Sequence, residues 1–121
     1  ARRIVMHEGS IKFIGGVAGR SASLEGDLSE ANSDDFEAGL LSLEADGDAT
    51  FTLDLSGLDI CDGVAAATAV SCLRRLRARA RHLVLAGAPQ VLGHNLYRVG
   101  LLDGAGAIEL VDMRLDEPAG F

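Results

Sequence analysis

Phe51-Thr-Leu-Asp-Leu55 alternates as a buried strand does, and seven residues later Asp62 stands just ahead of a long segment with helical apolar spacing. Ser56 and Gly57 punctuate the end of the strand run. Asp62 is suited to begin a helix, because a carboxylate accepts from first-turn N–H groups that have no helical partner. From Gly63 onward Ala66, Val70, Leu73 and Ala80 fall on one face, toward a sheet, and Arg74 and Arg77 turn outward. A strand passing so directly into a helix commits the chain to layered α/β packing.

The rest of the chain continues that alternation. Residues 3 to 6 and 10 to 14 read as one or two short strands punctuated by Gly15 and Gly16, and residues 21 to 25 as the next. Asn32 or Ser33 caps a first helix with Asp34, Asp35 and Glu37 in its first turn, where acids suit the positive pole of the helix dipole. Phe36, Leu40 and Leu43 form its apolar stripe, and Asp46-Gly-Asp48 ends it. His82 to Ala86 is a short apolar strand. Pro89 opens a third helix with Leu92, Leu96 and Val99 as its buried stripe, Tyr97 half-buried and Gly100 just past its end. Ile108 to Val111 supplies a last strand. Such spacing predicts right-handed parallel crossovers, with an N-terminal strand free to pair antiparallel.

At 121 residues the chain is expected to form one domain, residues 1–121, large enough to bury a core. No apolar run approaches the roughly 20 residues of a membrane span, and Arg2, Arg3, His7, Glu8 and Lys12 interrupt any signal-peptide pattern near the start. A cytoplasmic location is expected. One Lys against ten Arg, with abundant Ala and Gly, hints at a high-GC bacterial source. A net charge of −7 argues against nucleic acid as a partner, since phosphate binding needs clustered cations. Nine acids and no Lys or Arg lie between Glu25 and Asp48, whereas Arg74, Arg75, Arg77, Arg79 and Arg81 crowd together. The arginines read as a helix end whose cations suit its negative pole, and the acidic stretch as a surface able to steer a basic partner.

Cys61 and Cys72 are expected to be free thiols. A helix starting near Gly63 separates them by roughly 14 Å, whereas a disulfide needs Cα atoms within about 7 Å. Cys61 reads as buried filler beside the loop. No Walker loop, dinucleotide glycine motif or metal-spaced Cys/His set is present, and His7, His82 and His94 are far apart in sequence. The residues nominate no nucleophile with its base, and neither a cofactor nor a metal is expected.

The run Asp54-Leu-Ser-Gly57, apolar residues, Asp62 and two small residues resembles the STAS domain, the fold of bacterial anti-sigma factor antagonists. Ser23-Leu-Glu-Gly-Asp-Leu28 resembles the strand and loop before that family's first helix. Leu73 through Gly87 resembles its long helix and following strand, and Pro89 through Asp103 its third helix and closing turn. The resemblance implies a mixed, mostly parallel β-sheet with packed α-helices. It also implies a non-enzymatic module that works in transcription regulation by partner switching, binding an anti-sigma factor or serine kinase-like protein until a phosphate on a Ser at the helix start breaks the contact. In the family the two small residues are typically Ser-Ser. Here they are Gly63 and Val64, followed by Ala65 in place of Gly, so Val64 occupies the acceptor position and the switch there is expected to be absent. Thr68 and Ser71 are alternative hydroxyls, both inside the helix. Carried over by position, the partner surface comprises Asp62, Gly63, Val64 and Ala65 with Asp27 and Leu28. Two other readings fit the residues: an STAS-like accessory subunit of a phospholipid-transport ABC complex, and a small-ligand or nucleotide sensor using N–H groups at the helix start.

Overall fold

The structure, a computed structural model, describes residues 11–17, 19–43, 47, 49–104 and 107–112. Among these residues one sheet is formed by β1 (Ile11–Gly15), β2 (Ser21–Leu28), β3 (Thr50–Ile60), β4 (His82–Ala86) and β5 (Ile108–Val111), in that spatial order. β1 runs antiparallel to β2, and every other neighbouring pair is parallel. The crossovers are α1 (Ser33–Leu41), α2 (Gly63–Arg77) and α3 (Gln90–Arg98), and a 3-10 turn at Glu30–Asn32 leads into α1. Three successive parallel crossovers step one strand at a time in the same direction, and their helices pack side by side, α2 between α1 and α3. The predicted α/β architecture is the one found. The expected strand at residues 3 to 6 lies outside the described residues.

Burial follows the pleat. Phe51, Leu53 and Leu55 of β3, Leu83 and Leu85 of β4, and Leu24 and Leu28 of β2 are buried, while Thr52 and Asp54 between them are not. Phe36 and Leu40 from α1, Ala66, Ala69, Leu73 and Leu76 from α2, and Leu92 and Leu96 from α3 close the same core. Alanines along α2 let the middle helix sit close to the sheet. α2 touches both α1 and α3.

β3 corrects the expectation that Ser56 and Gly57 end the strand. The register passes from Ser23↔Asp54 to Glu25↔Gly57, so β3 spends one residue more than β2 across that interval. The extra residue is a β-bulge, and it resets the inward phase from Leu55 to Leu58 and Ile60. The Ser56 N–H and hydroxyl both donate to Asp54 Oδ1, at 2.9 and 2.6 Å, so a side chain serves a backbone donor at the bulge. A Cβ at Gly57 would lie 2.8 Å from Glu25 Cγ, so a larger residue there would have to displace that side chain. β2 likewise runs three residues beyond the expected 21 to 25, keeping pace with β3.

Helix ends bring further corrections. α1 stops at Leu41 with Ser42 as its cap, earlier than expected; Leu43 lies past the end yet still packs on the core. Asp46 and Asp48 are outside the described residues. α3 stops at Arg98, which leaves Val99 49% exposed rather than in the buried stripe, and Tyr97 is 66% exposed rather than half-buried. Gly100 does take the expected left-handed position, with φ 78°. Its N–H donates to Tyr97 O at 3.1 Å and the Leu101 N–H to Leu96 O at 3.0 Å, the paired bonds of a Schellman ending. The partly buried Leu101 thus packs where Val99 was expected. No helix among the described residues is long and apolar enough to cross a membrane.

Candidate functional site

α2 starts where Asp62 predicts. Asp62 is extended, φ −155° and ψ 173°, and its Oδ1 accepts the Ala65 N–H at 2.8 Å. Its Oδ2 accepts the Glu30 N–H at 2.9 Å, from the loop between β2 and α1. These bonds, Ala65 first and Glu30 second, hold the Asp62 carboxyl below the usual carboxylate range, because they stabilise its charged form. One further bond closes the pair of loops: the Cys61 N–H donates to Leu28 O at 2.8 Å, extending the β2–β3 ladder by one step.

The β2–α1 loop is braced from within as well. Asn32 Nδ2 donates to Asp27 O and the Ser29 N–H to Asn32 Oδ1, each at 2.8 Å, and the Ser33 hydroxyl donates to Ser29 O at 2.8 Å. Asn32 precedes α1 as expected, but its side chain serves this loop and does not cap the helix. Glu30 and Asn32 were not recognised as part of the site from the sequence. Ser29-Glu-Ala-Asn32, a Ser with an amide three residues on, was the signal that could have found them.

Of the six residues nominated for partner contact, Asp27, Gly63 and Val64 are exposed and Asp62 is half-buried. Leu28 and Ala65 are fully buried beneath them and form the floor of the site. Val64 is 49% exposed, an apolar side chain in the first turn of a helix, and a Cβ added at Gly63 would meet nothing within 4 Å. Exposed Glu30 lies on the first of these loops and exposed Asp59 near the end of β3, just before the second. No Lys or Arg occurs from residue 21 to residue 73, so the two loops around Val64 carry acids and no cation, the nearest strand cation being Lys12 of β1 opposite Glu25.

Cys61 is exposed, not buried as expected, because the bulge in β3 sets Ile60 inward and the next residue out. Partial desolvation of its sulfur, then the charges of Asp27, Asp59 and Asp62, push its thiol above the usual range, which keeps it protonated and a poor nucleophile. Cys72 is buried; both thiols are free.

The arginines at the far end of α2 are largely engaged in holding neighbouring segments. Arg75 pairs with Glu37 of α1. Arg79 donates to Leu41 O and Leu43 O, tying down the end of α1. Arg77 is half-buried, not outward as predicted, and donates to Ala80 O at 2.9 Å and Ala107 O at 3.3 Å. Arg74 is exposed, as are Ala67 and Ser71 on the same stripe of α2, and Thr68 is half-buried. Among the described residues no three His, Cys, Asp or Glu side chains gather as a metal-holding group. His82 meets Glu109 at 3.3 Å, and His7 lies outside the described residues.

A protein-family model described as "Mlab, STAS domain" matches residues 20–112, from the start of β2 to the end of β5. No curated protein matches the chain.

Proposed function

The chain belongs to the STAS-domain family, and on that premise we propose that it is a protein-binding regulatory module of the anti-sigma factor antagonist kind, without the phosphate switch at the family's usual position. The observation that carries this reading is Val64, half exposed on the first turn of α2, among carboxylates and over a buried floor of Leu28 and Ala65. An apolar side chain gains by leaving water, and the surrounding acids favour a partner surface with cations around an apolar depression. Asp27 and Gly63 complete the contact. The partner in this reading is an anti-sigma factor or serine kinase-like protein.

Introducing charge at the centre of such a contact tests the reading. Val64→Glu places a carboxylate where the family's phosphate would fall, so it repels and must be desolvated on binding. Titration calorimetry against a serine kinase-type anti-sigma factor from the same genome should show affinity weakened at least about tenfold, about 1.4 kcal/mol. The melting temperature should change little, because the side chain is exposed. Arg74→Glu, toward the other end of α2, should have a much smaller effect. Unchanged binding by Val64→Glu together with abolished binding by Arg74→Glu would move the functional surface away from the helix start.

A second reading is favoured by the residues at the acceptor position. Gly63, Val64 and Ala65 carry no hydroxyl, and a permanently docked accessory subunit of a phospholipid-transport ABC complex needs no release switch. The same Val64→Glu variant, assayed against such a complex's ATPase in place of a kinase, separates the two partners.

A further inference from the structure

Both oxygens of Asp62 are engaged inside the molecule: one by its own helix at Ala65, the other by the N–H of Glu30, 32 residues away in sequence. We infer that Asp62 is a positioning residue whose carboxylate latches the β2–α1 loop onto the first turn of α2, so that Asp27 and Val64 are presented as one rigid surface. The inference rests on the partner surface proposed above and adds what holds it in shape.

Beyond the Leu28↔Ile60 pair the two strands lead into different helices, and the loops would otherwise diverge. Among the described residues the backbone bond from Cys61 to Leu28 O and the Glu30–Asp62 bond join them. The second is charge-assisted and lies farther toward the tip, where leverage on loop orientation is greatest. A surface already ordered before binding avoids the entropy cost of ordering two loops at the moment of contact.

The latch can be opened from the donor side without touching Asp62. Glu30 is the first residue of the 3-10 turn, where a missing N–H costs the turn nothing, and Ser29 before it is extended, φ −137° and ψ 175°, as a residue preceding proline prefers. Glu30→Pro therefore removes the donor and leaves the Asp62 cap on Ala65 in place. Glu30→Ala removes the side-chain charge and keeps the donor. Backbone ¹⁵N relaxation on the full chain should show residues 27–32 losing order in Glu30→Pro but not in Glu30→Ala. Affinity for the serine kinase-type anti-sigma factor should fall at least about tenfold more in Glu30→Pro than in Glu30→Ala, whose own loss reads the side-chain charge alone, with the melting temperature nearly unchanged in both. Unaltered loop order in Glu30→Pro, or a loosened loop that binds the kinase as wild type does, overturns the inference. If wild type binds no such kinase, the functional reading falls instead, and the relaxation data alone decide whether Asp62 holds the loop.

Discussion

Asp62 shows how much one carboxylate can organise when both of its oxygens meet backbone N–H groups. Because those bonds favour its charged form in the folded chain, its folded pKa lies below the unfolded value of about 3.9. Its contribution to stability is therefore fully present above that unfolded value and is lost as pH falls through the lower, folded one. The stability advantage of wild type over Asp62→Asn should accordingly be clear at neutral pH and shrink in strong acid, which denaturant titrations at the two pH values will read. A constant difference would mean that the carboxylate's charge is not what the two N–H groups hold. Asp54 follows the same logic: its carboxyl is lowered by the Ser56 hydroxyl and then by the Ser56 N–H.

At the scale of elements, α1 rests on β1 through a contact that only glycine permits. A Cβ on Gly39 would lie 2.5 Å from two ring atoms of Phe13, whose ring stands 6.5 Å from that of Phe36. Alanine would gain up to about 1 kcal/mol in helix propensity, but overpacking costs roughly 1–3 kcal/mol, so Gly39→Ala should destabilise by about 1 kcal/mol. In a Phe13→Ala background the clash is gone and the same substitution should stabilise, a reversal of sign that a double-mutant cycle will show. What was legible in the sequence divides along the same line between local and distant causes. The start of α2, the alternating burial of Phe51 to Leu55 and the Gly100 ending depend on residues within a turn or two, and they read correctly. The bulge at Ser56-Gly57 did not, because it exists only in register with β2, and a polar pair followed by glycine looks like a terminator when its neighbour is unknown. Val99 was misplaced by one residue of helix, enough to turn it out of the core. Glu30 stayed hidden because it joins the site through its N–H, a group every non-proline residue carries, and only the Ser29-to-Asn32 spacing marks the turn that holds it.

Across the whole molecule, α2 runs antiparallel to the strands it connects, so its Asp62 end and its arginine end lie at opposite poles. Acids on the two loops around Val64 face outward at one pole, and long-range attraction there acts mainly on the rate of encounter. The association rate with a basic partner should fall severalfold between about 0.05 and 0.5 M salt as screening shortens the reach of those charges, while dissociation, governed by the apolar centre, changes little; stopped-flow measurements at both salts will tell. The order of the strands carries a consequence of another kind. Each strand pairs with the one immediately before it in sequence, so a chain leaving the ribosome finds its docking edge already made at every step. Among the described strands, each one after β1 finds its first partner already synthesised. Among the described residues the last strand added is β5, only four residues long, a short template for any further pairing.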